Sequence, residues 1–200
     1  MCPVSGPYPT LARYLAKLPG GLSAHPGCQA KGSVLRMYLD AYPLDGSVAD
    51  APEELLSLGA TSAGAWVPEV HNCAVSTLIR DVYFTRDDDF YAWLKKASAA
   101  LFRKPLYRLL MLVASPNLVI AGADKRFTQF HRGTTLTIQQ DGQSADVRME
   151  YPPNLYDAFV LRQFSCAFEA AAEAAGALNC RSAWEEAGRE RAMVRMKWEE

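Results

Sequence analysis

The chain reads as an α+β fold, with an N-terminal helical part of about seven helices followed by a four-stranded antiparallel sheet built as hairpin–helix–hairpin. Three observations predict it. From Thr134 to Trp198, alternating segments are joined by turn dipeptides around one long apolar stripe. Before that, apolar residues recur at helical spacing. Helical and strand segments are also segregated along the chain rather than interleaved.

The sheet part, residues 134–198, is the most legible. In TTLTIQQ, Leu136 and Ile138 alternate with Thr135, Thr137 and Gln139, the period of a half-buried strand. Asp141-Gly142 is a tight-turn dipeptide. Val147, Met149 and Tyr151 then share one face, with Asp146, Arg148 and Glu150 on the other. Pro152 and Pro153 end that strand, because proline has no N–H for the ladder. Asn154 is the expected N-cap of a helix over 154–175, with Asp157 favourable near its positive end. Leu155, Phe159, Phe164, Phe168, Ala171 and Ala175 form its apolar stripe, and Gly176 ends it. A last hairpin turns at Ala187-Gly188, and its second strand places Ala192, Val194, Met196 and Trp198 inward and a basic face outward.

In the helical part, residues 10–130, Thr10 is the expected cap of LARYLAKL. AKGSVLRMYLDAY is a second helix, and Pro52 opens EELLSLG. A longer helix is expected from Trp66 through about Phe84, with Val70, Ala74, Leu78, Ile79 and Val82 buried. Thr85 and the acids Asp87, Asp88 and Asp89 start the next one. Pro105 opens LYRLLMLVA, apolar nearly all round, and Ser115-Pro116 begins a helix toward Phe130.

Two hundred residues, 50% hydrophobic and 22% charged, predict one globular domain over 1–200. A formal net charge of −1 disfavours nucleic acid as a partner. No apolar run is long enough to span a membrane, and the N-terminus lacks secretory features. The five scattered cysteines (Cys2, Cys28, Cys73, Cys166, Cys180) fit free thiols and a cytoplasmic location.

No catalytic motif is present, so the catalytic and metal assignments are none. His25-x-x-Cys28 together with His71 and Cys73 could be assembled into a zinc site, but nothing in the spacing demands it. On a helix His71 and Cys73 point apart. Residues 90–132 hold eight basic residues and one acid, while 40–54 hold five acids and no base. That asymmetry reads either as a field for an anionic ligand or as a solvated face. Aromatic residues cluster before the sheet. A pocket at the helix–sheet junction is the expected ligand site, with Trp66, His71, Tyr107, Phe127, Phe130, His131 and Arg132 as candidate lining.

The segments AKGSVLRMYLDAY, with its Lys31-Gly32, LYRLLMLVASPNLVIAGADKRF, AAAEAAG and MVRMKW resemble a myxobacterial paralogous family of unknown function. That layout is in turn similar, at fold level, to the haem-nitric-oxide-binding, 4-vinyl-reductase and TRAPP-subunit group. The resemblance implies small-molecule sensing or protein scaffolding. The haem-binding members pair a proximal histidine with a Tyr-x-Ser-x-Arg element for the propionates. This chain has no such element, so no cofactor is expected. The expected function is a non-enzymatic small-molecule- or protein-binding module, with a homodimer as one form. The alternative is a cofactor-independent enzyme with a histidine acid/base acting on a small apolar or aromatic substrate.

Overall fold

The computed structural model describes residues 7–44, 48, 50–104 and 122–199. It is an α+β chain with seven α-helices and a four-stranded antiparallel sheet among the described residues. Two compact units are present. One comprises residues 1–90 with 130–133, and the other 91–129 with 134–200. The helix expected at Pro105 and the start of the one expected at Ser115 lie outside the described residues.

In the first unit the chain runs α1 (Pro9–Leu15), β1 (Gln29–Lys31), α2 (Gly32–Ala41), α3 (Glu53–Leu56), β2 (Trp66–Pro68), α4 (Glu69–Tyr83), the first turn of α5 (Asp87–Phe102), and β3 (His131–Arg132). Thr10 is not the cap of α1. Pro9 takes a first helical position, and the Asp81 carboxylate, arriving from α4, accepts from the Thr10 and Leu11 N–H groups at 2.7 and 3.0 Å. An anion thus meets the positive helix end from seventy residues away, where no local pattern announces it.

Residues 29–31 and 66–68 are strands, not the openings of helices. With β3 they form an antiparallel sheet ordered β2-β1-β3, pairing Lys31 with Trp66, Ala30 with Val67 and His131, and Gln29 with Pro68 and Arg132. The pleat sends Ala30, Val67 and His131 inward and leaves Gln29, Lys31, Trp66, Pro68 and Arg132 on the opposite face. α2 and α4 each begin directly where a strand ends.

The Lys31-Gly32 pair has a steric explanation. A Cβ at Gly32 would stand 2.2 Å from the Ser62 carbonyl oxygen, so only glycine admits the loop against this helix start. α4 is the centre of the unit and packs against α1 and α2. Leu11, Tyr14, Leu35, Leu39, Val70, Ala74, Leu78 and Ile79 are buried around it. Each large apolar side chain contributes about 1.5–3 kcal/mol by leaving water.

In the second unit the rest of α5 is followed by α6 (Ala123–Phe127), β4 (Thr135–Asp141), β5 (Ser144–Glu150), α7 (Ala158–Ala174), β6 (Leu178–Ala187) and β7 (Arg191–Glu199). The sheet order is β4-β5-β7-β6. Asp141 pairs with Ser144, so the two turn residues are Gly142 and Gln143; Gly142 takes φ 56°, as the first position of a type II′ turn requires. Val147, Met149, Ala192, Val194, Met196 and Trp198 are buried on one face, as the alternation implies. On the other face Arg195 grips Asp146 with two bonds of 2.7 and 3.0 Å, joining β5 to β7.

α7 starts three residues later than expected. Asn154 sits in the left-handed region at φ 62°, and Asp157 is the N-cap, accepting from Val160 N–H at 3.0 Å. Two prolines and a left-handed residue keep 152–156 out of the helix. At the other end Gly176 adopts φ 102°. Its N–H and that of Ala177 reach back to Glu173 and Ala172, which satisfies the last carbonyls. The Glu169 carboxylate of α7 accepts from Ser182 N–H and Oγ, fastening the helix to β6.

Candidate functional site

The two faces of the small sheet carry different chemistry. On the inner face, β3 presents His131 to α4. His131 Nδ1 and Glu69 Oε2 are 2.9 Å apart, with Glu69 1% and His131 8% exposed. An ionised carboxylate only accepts, so Nδ1 then carries the proton. Glu69 also receives the Cys73 thiol at 3.8 Å, and its backbone N–H donates to the Cys28 carbonyl at 2.8 Å. The Cys28 thiol in turn donates to Gly133 O at 3.3 Å. Burial first, and the Glu69 charge second, push the Cys28 thiol above its ordinary value, which disfavours the nucleophilic thiolate. The carboxylate joins sulfur to imidazole here, whereas in a nucleophilic triad the imidazole joins the other two. The cluster is therefore built to hold β1, β3 and α4 together.

On the outer face, two cations lie over the Trp66 ring. Lys31 Nζ is 4.7 Å and Arg132 Cζ 3.8 Å from the indole centroid. Cross-strand pairing of Lys31 with Trp66 sets the first contact. Lys31 Nζ also donates to Gly64 O at 2.8 Å.

The other residues singled out in the sequence are dispersed. His71 is half-buried on α4 and hydrogen-bonds to the Leu22 backbone. Phe130 accepts Lys31 N–H through its carbonyl at 2.7 Å. Phe127 belongs to the second unit, where it packs against Phe164 with centroids 6.1 Å apart. Tyr107 lies outside the described residues. Of the basic segment, Lys95 is paired with Glu169 and Glu173 of α7 at 3.0 and 2.8 Å, so part of that charge is neutralised within the fold. Among the described residues, no group of three or more His, Cys, Asp or Glu side chains has the arrangement to hold a metal ion. No helix among them is long and apolar enough to cross a membrane.

Sequence reading passed over Lys31 and Glu69. Glutamate in a first helical turn reads as a helix-dipole partner, which disguised its role as the buried hub.

His71 has a measurable consequence. Burial lowers its pKa, against the opposing pull of the Leu22 hydrogen bond and the Glu54 charge. The unfolded chain then binds the proton first as pH falls. Stability is complete above the unfolded value of about 6.5 and declines as pH drops through the lower folded value. The urea midpoint is expected to fall between about pH 7.5 and pH 5.5, and less so in His71→Gln. Identical pH dependence in the two proteins would refute this.

No family model and no curated protein matches the chain. Solved structures do. The Fe(II) unliganded H-NOX protein from K. algicida is 11% identical at a TM-score of 0.59, over 85% of this chain and 97% of that one. An oxygen-binding H-NOX domain related to soluble guanylate cyclases is 10% identical at a TM-score of 0.56, over 84% and 93%. Such a likeness establishes a shared α+β architecture, as the fold-level similarity implied. The resemblance to the myxobacterial family has no matching family model behind it.

The fold raises the question of haem, and the Tyr-x-Ser-x-Arg element that would hold its propionates is absent from the sequence. His131 is buried and bonds to Glu69 through Nδ1. His71 is half-buried on α4, and His25 occupies a left-handed turn at φ 52°. All three histidines belong to the first unit; residues 91–129 and 134–200 contain none. The thiols of the second unit are poor alternatives, because burial pushes Cys166 up to about 11 and Cys180 up to about 12.

Proposed function

We propose that the protein is a non-enzymatic binding module that keeps a sensor-like architecture and works without haem, recognising a small molecule or a protein partner. The observation that carries the reading is the fate of the histidines. All three lie in the first unit, the most buried one bonds to Glu69 through Nδ1, and the chain has no Tyr-x-Ser-x-Arg element. The fold likeness to H-NOX domains supports the sensor-like part of the reading, and the absence of a catalytic motif supports the non-enzymatic part. Trp66 and Arg132 of the expected lining stand together on the outer face of the small sheet.

The test is reconstitution. Purified protein mixed with haemin and passed through a desalting column is expected to emerge without a stoichiometric Soret band, in both redox states. A Soret band that survives desalting and is lost on replacing any one of His25, His71 or His131 would overturn the haem-free reading.

A further inference from the structure

We infer that the outer face of the three-stranded sheet is an oxyanion-binding site formed by Lys31 and Arg132 around Trp66, and that it takes a small dianionic oxyanion of the phosphate class. This names the ligand chemistry of the binding module above and rests on that reading.

Three observations converge. The first is charge without a counter-charge. Both cations lie over one indole ring, and neither forms an ion pair with a carboxylate among the described residues. Two like charges gathered at one ring raise the local potential, and a bound anion relieves it. The second is donor supply. Arg132 is exposed and its guanidinium lies over the ring face, so its N–H edge remains to bind an oxyanion in bidentate fashion. Lys31 spends one donor on Gly64 O and keeps the others. The third is the helix that begins at this point. α2 starts at Gly32, directly after Lys31, with no side-chain cap and no acid in its first turn. Its Gly32 N–H is taken by Ala65 O, but the positive end of a ten-residue helix still adds to the field beside Lys31.

The geometry also selects against stacking. Arg132 at 3.8 Å already covers an indole face, so a nucleobase or aromatic ring finds that face occupied. Recognition runs through charge and hydrogen bonds, and the indole serves to hold the two cations in place. Lys31 pairs with Trp66 directly across the ladder, while Arg132 reaches the ring from the far side of β1.

The test titrates the Trp66 indole N–H resonance of isotopically labelled protein with inorganic phosphate, using chloride at matched ionic strength as the control and acetate as a second arm. A saturable shift with phosphate is expected, absent with chloride and weaker with acetate. Arg132→Gln and Lys31→Gln are each expected to weaken it roughly tenfold, the loss of one charge-assisted hydrogen bond. The Arg132 side chain is exposed, so the Arg132→Gln variant keeps the fold, checked by the dispersion of the remaining resonances. A shift no larger than that with chloride, or one unchanged in Arg132→Gln, would overturn the site. An acetate midpoint at or below that of phosphate would overturn its dianionic preference. Neither result bears on the haemin reconstitution, which tests the module reading separately.

Discussion

Replacing Gly133 by alanine is expected to cost roughly 2–5 kcal/mol, enough to unfold the first unit in a marginally stable protein. The residue sits at φ 75°, a conformation that a Cβ makes strained by about 1–2 kcal/mol. The added carbon would also stand 2.5 Å from Gly27 O, 2.8 Å from Cys28 Sγ and 2.9 Å from Cys28 Cα. Two of these three are backbone atoms and cannot rotate away, so a further 1–3 kcal/mol or so of overpacking is added. The Cys28 thiol would lose its acceptor at Gly133 as the strand shifts. Urea unfolding followed by far-UV circular dichroism reads the effect. A midpoint within error of the parent protein would mean that the 27–28 turn yields freely. Gly142 is the internal control: it too has positive φ, at 56°, but its Cβ would meet nothing within 4 Å. Gly142→Ala is expected to cost only the conformational strain, about 1–2 kcal/mol.

Glu69→Ala is expected to cost about 3–5 kcal/mol, the sum of a buried polar group losing its partner and the cavity the side chain vacates. The methyl group leaves His131 Nδ1 without its acceptor in the interior, removes the acceptor of the Cys73 thiol and opens a cavity beneath β1. The stranded imidazole dominates, because a buried polar group without a partner loses its full hydration. Glu69→Gln keeps the volume and one acceptor and is expected to lose less than half as much. Replacing Glu69 and His131 together by apolar residues of similar size removes both sides of the pair and should recover most of the loss. If Glu69→Ala costs under about 1 kcal/mol, the pair contributes nothing beyond packing.

The later half of the fold was legible because its signals are local. Period-two alternation at Leu136–Ile138 and Ala192–Trp198, a glycine at each turn and a glycine at the end of α7 are each read from a handful of neighbouring residues. The first unit conceals its sheet for the opposite reason. Strands of two or three residues show no period, and β1, β2 and β3 pair across separations that leave no trace in any window. Residues 29–31 and 66–68 abut genuine helices, so they were absorbed into them. Caps failed in the same way: Asp81 reaches α1 from α4, and Asp157 displaced the equally plausible Asn154 because the backbone at 154 turns left-handed. At the site, Trp66, His131 and Arg132 could be chosen as chemically interesting residues. That His131 turns inward to Glu69, while its neighbour Arg132 turns outward to Trp66, follows from the pleat of a strand that the sequence does not reveal.

The four described cysteines, all buried thiols, are divided evenly: Cys28 and Cys73 in the first unit, Cys166 and Cys180 in the second. A thiol-reactive reagent therefore labels each of them only when its own surroundings open. In a Cys2→Ser background, mass-resolved labelling rates under native conditions would report two opening equilibria from one sample, without any engineered probe. Whether the chain breathes as one cooperative body or as two is thus recorded by thiols native to its interior.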